Sequence, residues 1–251
     1  MIYEKKDEKG ILRWDMDENT RLPNGKLYNF IALSPTAEGI TLLNGITEIG
    51  YGAFAVYQKE EDEWEYYTPS IEEIYIPSSV KHVENGAFAF LNLARLEIGD
   101  GCTALKLVGS SVLSGDGKRF LYTLFDGEYE YYKKLNKSFA YEVPFGVEEI
   151  GDEAFSACEM DVVLPDSVKI IRAFAFGAFE GSVVVPESVQ YIEDNAFAKK
   201  TCLLLVKKGS YAHKWARKNK IKRKIVKITH YAYTINIDKY KDCVLTALEK
   251  V

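Results

Sequence analysis

A short pattern recurs along this chain at fixed internal spacing, and it restricts the fold to repeat architectures. In each copy a valine or isoleucine is followed three residues later by another, and four residues after that by Ala-Phe. The five copies run from Ile46 to Phe54, Val80 to Phe88, Val147 to Phe155, Val168 to Phe176 and Val189 to Phe197. Self-similarity of this kind is typical of solenoids and related arrays.

A proline punctuates most of the copies at one position. It lies eleven residues before the repeat phenylalanine as Pro77, Pro144, Pro165 and Pro186, and Leu43 takes this place in the first copy. Short β-branched runs such as Val183 to Val185 come before it. Because proline cannot donate a ladder hydrogen bond, each run is predicted to be a short strand that ends there. Each repeat is then a strand, a proline turn, a second apolar segment, and a helical or turn segment with Ala-Phe.

The repeat length indicates the type of solenoid. Phe155, Phe176 and Phe197 are 21 residues apart, within the range of roughly 20 to 29 residues of leucine-rich repeats. A unit this short buries its apolar side chains only against its neighbours. We therefore predict a repeat solenoid of leucine-rich-repeat type, with short parallel strands and helical or turn segments, in which all five repeat phenylalanines are buried.

One stretch resembles a known family almost position by position. The sequence IEEIYIPSSVKHVENGAFAF, Ile71 to Phe90, is similar to the repeat of the BspA-like leucine-rich repeat family, and Ala154 to Cys158 keeps that family's trailing cysteine. The resemblance implies protein or surface binding, and family members are often exported. No secretory signal is seen after Met1. This favours a cytoplasmic location for the sequence as it stands, and a cell-surface or secreted one if the N-terminus was trimmed.

The repeat array leaves segments at both ends and two insertions. We expect an N-terminal cap at 1–41, a solenoid at 42–206 with insertions at 58–69 and 99–140, a capping helix at 207–225, and a strand-helix tail at 226–251. The second insertion carries a predicted β-hairpin from Ser111 to Tyr122 around an Asp-Gly turn, which is also common in the family. Ser210 is the expected N-cap of the capping helix, with Tyr211 and Trp215 on its packed face.

Side-chain alternation along the strands predicts a binding face. The inward set is Ile74, Ile76, Val162, Leu164, Val183, Val185, Leu204 and Val206. The outward set is Glu73 together with the candidate partner-binding residues Tyr75, Arg95, Glu97, Asp161, Val163, Ser182, Val184, Leu203 and Leu205. An exposed strip of Val163, Val184, Leu203 and Leu205 would be unusual on a monomer, so either the tail packs over it or a partner does. The reverse parity would exchange the two sets.

No catalytic, cofactor or metal site is predicted. The three histidines (His82, His213, His230) have no catalytic neighbour in the sequence, and the four cysteines are scattered without a CxxC pair. The acidic runs Glu60 to Glu63 and Glu148-Glu149 indicate solvated loops, and the alternative for the acidic insertion is a partner contact. No window approaches the ~20 apolar residues of a membrane span.

Charge is distributed unevenly. The net charge is −5, yet residues 207–227 contain ten Lys or Arg and no acid, which leaves the remainder at about −15. We predict a non-enzymatic scaffold that binds another protein through its strand face. The alternative is nucleic-acid or other polyanion binding through 207–227; nucleic acid is disfavoured because the pI is about 5.4 and no nucleic-acid fold signature occurs. An enzyme assembled from the N-terminal segment and insertions would need a deep pocket with convergent polar groups.

Overall fold

The chain forms two compact units. In the computed structural model, described residues are 2–6, 10–16, 23–32, 36–37, 39–54, 56–60, 63–67, 70–89, 91–124, 140–198 and 200–226. Unit 1 comprises Met1–Gly117 and Leu121–Gly127, and unit 2 comprises Lys118–Phe120 and Glu128–Val251. The boundary between them therefore falls inside one strand, Arg119–Thr123.

Unit 1 is built from short strands. They are β1 (Ile2–Lys6), β2 (Gly10–Met16), β3 (Pro23–Ala32), β4 (Thr36–Ala37), β5 (Ile40–Thr41), β6 (Glu48–Ile49), β7 (Val56–Glu60), β8 (Glu63–Tyr67), β9 (Ser70–Ile76), β10 (His82–Val83), β11 (Asn92–Ile98), β12 (Leu105–Val108) and β13 (Ser111–Ser114). Strands β4, β5 and β11 pair with β9 in parallel, and β6 pairs in parallel with β3 and β10. The pairs β1–β2, β2–β3, β7–β8 and β12–β13 are antiparallel.

Unit 2 repeats the parallel arrangement more regularly. After β14 (Arg119–Thr123) its elements are β15 (Ala140–Glu142), β16 (Glu149–Ile150), β17 (Asp161–Val163), β18 (Ile170–Ile171), β19 (Gly181–Val185), β20 (Tyr191–Ile192), β21 (Cys202–Val206), α1 (Tyr211–Lys218) and β22 (Lys222–Ile225). One parallel sheet has the order β15-β17-β19-β21-β22, and the other continues from Arg119 and Phe120 through β16, β18 and β20. Two ladders of parallel strands, advancing one rung per repeat, confirm the predicted leucine-rich-repeat solenoid.

The proline turn has the same hydrogen bond in every copy that contains it. The carbonyl oxygens of Pro77, Pro144, Pro165 and Pro186 each accept from the N–H three residues on, at 3.1, 3.3, 3.0 and 3.4 Å. In the first copy Leu43 accepts from Ile46 in the same way, at 3.3 Å. The turn therefore does not need proline; proline fixes its φ in advance and ends the strand.

The repeat phenylalanines form the centre of the core. All five are buried, and within unit 2 the rings of Phe155, Phe176 and Phe197 stack at centroid distances of 5.2 and 4.8 Å. In unit 1 the rings of Phe54 and Phe88 stack at 5.7 Å. Since each ring is covered by those of neighbouring repeats, burial depends on repeat-to-repeat contact, as the sequence predicted.

A left-handed backbone residue sets the direction of the Ala-Phe turn. The residue before Ala-Phe has a positive φ in four copies: Gly52 (58°), Gly86 (67°), Glu153 (57°) and Phe174 (51°). Glycine adopts this conformation without strain, whereas a bulky side chain does not. In the described copies the Ala-Phe segment is a turn rather than a helix.

Helix α1 covers the last repeat of unit 2. As predicted, the Ser210 hydroxyl accepts from the His213 N–H at 3.1 Å and caps the helix. Trp215 is buried with its ring 5.7 Å from that of Phe197, so it extends the aromatic column. The prediction that Tyr211 shares this packed face is wrong: the buried residues are Ala212, Trp215 and Ala216, and Tyr211 is 39% exposed.

The chain turns back after α1 instead of continuing as a helix to residue 225. Strand β22 pairs in parallel with β21 and is the last strand of that sheet among the described residues. The tail begins at Val226, and its predicted strand and helix (227–251) lie outside the described residues, as does the part of the second insertion at 125–139. In that insertion, β13 and β14 are hydrogen-bonded neighbours as predicted, and the Gly117 N–H donates to the Ser114 oxygen at 2.7 Å.

Candidate partner-binding faces

The outward side chains of β5, β9 and β11 form one face of unit 1. Strand register places Thr41 beside Tyr75 and Tyr75 beside Glu97, and it places Glu73 beside Arg95. We call these five residues the unit 1 face. The inward neighbours on β9 are fully buried, so the β9 backbone is fixed by the core and its face is presented on a rigid support.

A pocket of about 430 Å³ opens on the unit 1 face. Gly39, Ile40, Thr41, Glu73, Tyr75 and Glu97 line it. The Tyr75 side chain leans over Gly99, where a Cβ atom would lie 2.6 Å from the tyrosine hydroxyl. A glycine at 99 therefore leaves room for the hydroxyl, and one wall of the pocket is an aromatic side chain.

The unit 1 face carries more acid than base. Arg95 Nη2 lies 3.2 Å from Glu73 Oε2 and 3.6 Å from Glu72 Oε1, and these side chains are more than a third exposed. Glu97 is exposed and makes no ion pair with any residue that the structure describes. Glu97 therefore presents a carboxylate that no described cation neutralises.

The unit 2 face consists of Asp161, Val163, Ser182, Val184, Leu203 and Leu205, on β17, β19 and β21. The Asp161 carboxylate accepts from the Ser182 N–H at 2.7 Å, which fixes the polar edge of the face. All eight residues predicted to point inward are fully buried, which confirms the predicted parity.

The apolar strip of this face (Val163, Val184, Leu203 and Leu205) is not an open surface. Val184 and Leu205 are only 8% and 3% exposed, and they form a small cluster with Val226 against which Val163 and Leu203 pack. Val184 and Leu205 are the least accessible of the predicted binding residues. Their contact with a separate partner stays a prediction. The other predicted residues of both units are at least partly exposed.

The sequence missed Thr41, and it included Val226 only as the first residue of the tail that was one of the two expected covers of the apolar strip. Thr41 lies five residues before the repeat Ile46, as Tyr75 lies five before Val80, so the repeat spacing carried the signal. Val226 carried no such signal, because it belongs to no repeat and its position follows from the return of the chain after α1.

The basic segment is exposed. Its nine described cations are Lys207, Lys208, Lys214, Arg217, Lys218, Lys220, Lys222, Arg223 and Lys224, and all are exposed. Within the described ranges only Lys207 makes an ion pair, with Glu187 at 2.5 Å. A groove of about 870 Å³ between the last repeat and α1 is lined on one side by Tyr211, Lys214 and Lys218, and on the other by Tyr191 and Glu193.

The pair Glu148-Glu149 is not the solvated loop that the sequence indicated. Glu148 joins Lys118 and Lys169, at 2.6 and 3.1 Å. Glu149 lies on β16 between Arg119 (2.7 Å) and Arg172 (2.9 Å), with only 13% of its side chain exposed. Partial burial works to raise the pKa of Glu149, but hydrogen bonds and charge from the two arginines outweigh it and hold that pKa below its usual value. These ion pairs join successive repeats.

Among the described residues, no group of three or more His, Cys, Asp or Glu could hold a metal ion. Burial raises the pKa of Cys158 and of Cys202 to about 12, so neither thiol is a ready nucleophile. His82 is exposed, and His213 Nδ1 accepts from the Gly209 N–H at 3.2 Å. No helix in the described part of the chain is long and apolar enough to cross a membrane.

Comparison with known proteins assigns the family. The model of the BspA type leucine-rich repeat region matches residues 61–114 and 127–234 in six copies. A leucine-rich repeat protein from Eubacterium ventriosum has 13% identity and a TM-score of 0.46, over 67% of this chain and 46% of that one. A leucine-rich cell surface protein from Faecalibacterium prausnitzii has 16% identity and a TM-score of 0.37, over 74% and 59%.

The chain thus spans about half the length of these two proteins, and no curated protein matches it. Both TM-scores are low, so the assignment rests on the repeat model, which covers more than half of the chain. This chain belongs to the BspA-type leucine-rich repeat family.

Proposed function

We propose that the chain is a non-enzymatic scaffold that binds another protein through the unit 1 face. The observation that carries the proposal is an accessible pocket, lined by Thr41, Glu73, Tyr75 and Glu97, on strands whose inward sides are locked in the core. A rigid face loses little conformational freedom on binding, which favours affinity. Repeat scaffolds of this kind commonly use such faces for protein recognition.

The chemistry of the pocket selects for a cationic group on the partner. Glu97 offers a carboxylate without a partner in the described chain, and the ring of Tyr75 offers a surface for a cation. The Glu73 carboxylate is shared with Arg95 and contributes less. We expect the partner to insert a lysine or arginine side chain here, with its aliphatic stem against Tyr75.

The test is capture from host-cell lysate by the immobilised chain, with matched variants. Glu97→Lys reverses the charge in the pocket, and Asp100→Lys makes the same change at an exposed turn residue that does not line it. A protein captured by the wild type and by Asp100→Lys, but lost with Glu97→Lys, supports the proposal. With that protein purified, Tyr75→Ala is expected to raise the dissociation constant about tenfold or more. Equal capture by both charge variants contradicts it.

A second candidate function is polyanion binding through the basic segment. It is favoured by the eight exposed cations that make no ion pair with described residues. Binding of heparin or an oligonucleotide should fall steeply between low and moderate salt. The double variant Lys222→Ser with Lys224→Ser should weaken it several-fold, and the matched variant Lys81→Ser with Lys106→Ser should not. Lysines on an edge strand also prevent sheet-to-sheet pairing. Aggregation of the first variant with unchanged polyanion binding therefore assigns these lysines to edge protection.

A further inference from the structure

The apolar strip of unit 2 is buried although its side chains point away from the core. Among the outward strand positions whose burial the structure describes in β5, β9, β11, β15, β17, β19, β21 and β22, only Val184 and Leu205 are buried. Ser182 and Leu203, two residues earlier on the same strands, keep partial exposure. A sheet face in contact with water leaves its side chains accessible, so atoms from elsewhere must cover these two.

Val226 supplies part of that cover and shows its direction. Its N–H donates to the Val206 oxygen at 2.9 Å, one residue beyond β22, and alternation from Lys224 places its side chain on the outward face. The side chain is 5% exposed and lies in the cluster with Val184 and Leu205. Neighbouring strands are about 4.8 Å apart, so Val184, two strands away, is roughly 10 Å from β22. One valine side chain does not reach that far.

The sequence after Val226 has the composition needed to complete the cover. Residues 227–251 lie outside the described part of the chain. Tyr231, Tyr233, Ile235 and Ile237 alternate with other residues, and Val244, Leu245 and Leu248 recur at helical spacing. A segment attached at Val226 is held near the strip at a high effective concentration, which favours it over a separate molecule.

We propose that segment 227–251 of the same chain occupies the apolar strip of unit 2. The strip is then an intramolecular docking surface, closed to partners while the segment is bound. The proposal rests on Val184, Leu205 and Val226 and not on the unit 1 face, so it stands or falls independently of the proposed function.

Thiol accessibility in the full-length chain tests the proposal. In a background of Cys102→Ser and Cys243→Ser, Val184→Cys places a thiol in the strip and Glu97→Cys places a reference thiol on an exposed strand. The remaining thiols, Cys158 and Cys202, are buried, so they react only when unit 2 unfolds. In the intact chain, an alkylating reagent should modify the Val184→Cys thiol at least tenfold more slowly than the Glu97→Cys thiol.

Charges on the segment should then remove the protection. We expect Ile235→Asp with Ile237→Asp, or Leu245→Asp with Leu248→Asp, to speed alkylation of the Val184→Cys thiol at least tenfold while the buried cysteines stay unreacted. The control, Thr234→Asp with Thr246→Asp, adds the same charge at polar positions and should leave the rate unchanged. Leu205→Asp, with the segment unaltered, should speed tryptic cleavage after Lys239 and Lys241.

Three results overturn the proposal. The first is alkylation of the Val184→Cys thiol as fast as the reference in the intact chain. The second is a combination of two findings: none of the segment variants changes the protection of the Val184→Cys thiol, and Leu205→Asp leaves tryptic cleavage unchanged. This combination assigns the cover to other atoms. The third is protection that disappears on dilution, which assigns it to a second copy of the chain.

Discussion

The outward faces of unit 1 and unit 2 are built on the same kind of strand and differ in what they present to solvent. In unit 1, Glu73, Tyr75, Arg95 and Glu97 remain accessible around a pocket. In unit 2, the equivalent rows become apolar and Val184 and Leu205 are buried. The inward positions form the core in both units, so the residue type at outward positions can differ between them. One face of the chain can therefore stay open to solvent while the other is covered.

The largest expected effect tests whether the two units share one type of core. Phe176 is fully buried between the rings of Phe155 and Phe197, and Phe88 lies between those of Phe54 and Tyr122. Replacing either phenylalanine by alanine should lower the free energy of unfolding by about 3 to 5 kcal/mol, because a cavity is left that the stacked neighbours cannot fill. Chemical denaturation followed by circular dichroism measures it.

The control for the core prediction is Phe174→Ala. Phe174 is 49% exposed, so its truncation should change stability by less than about 1 kcal/mol. A large loss for Phe176→Ala with almost none for Phe88→Ala would show that the cores differ, and the comparison of the faces would then lose its common basis.

These core positions are also where the sequence was most informative. Spacing alone identified the buried phenylalanines and the proline turns, because inward positions repeat the same physical requirement in every copy. The observed strand parity was one of the two alternatives that side-chain alternation allowed. Burial of Val184 and Leu205 could not be read in this way: their strands predict only an outward direction, and their cover depends on the return of the chain through β22. Exposure of Tyr211 was missed as well, because α1 buries Ala212, Trp215 and Ala216, and Tyr211 lies outside this buried set.

The next largest effect contrasts the two faces directly. Leu205→Asp should lower the free energy of unfolding by about 3 kcal/mol, because it removes a buried side chain and leaves a carboxylate in an apolar cluster. Thr41→Asp, at an exposed outward position in unit 1, should change it by less than about 0.5 kcal/mol. Thermal and urea denaturation of the two variants provide the measurement. Similar small losses for both would mean that the unit 2 face is as open as that of unit 1.

A smaller effect separates ion pairs that join repeats from those on the open face. Glu149→Gln should lower stability at neutral pH by roughly 1.5 to 3 kcal/mol, since the carboxylate binds Arg119 and Arg172 with little exposure. Because the folded-state pKa is depressed, this stabilisation is fully present above the unfolded value of about 4.5 and is lost as pH falls through the folded pKa. The stability difference between wild type and variant should therefore shrink as the pH falls below about 4.5 in urea titrations.

Glu73→Gln, in the exposed pair of the unit 1 face, is the matched variant for this comparison. It should change stability by at most about 1 kcal/mol at neutral pH. A pH-independent difference for Glu149→Gln would show that hydrogen bonding rather than charge stabilises the link between repeats.

The smallest effect on stability bears most directly on function. Arg95 is 62% exposed, and its pairs with Glu72 and Glu73 are open to water, so Arg95→Gln should change the free energy of unfolding by less than about 0.5 kcal/mol. The same change removes a positive charge that competes with an incoming cation for Glu73, and it should speed association with a basic partner, most clearly at low salt. Stopped-flow rates at two salt concentrations measure this. If Arg95→Gln instead destabilises the chain by more than about 1 kcal/mol, the charges on this face stabilise the fold.

A stable variant with an altered association rate shows that the charges of the unit 1 face act in binding. In this the unit 1 face differs from the covered strip of unit 2.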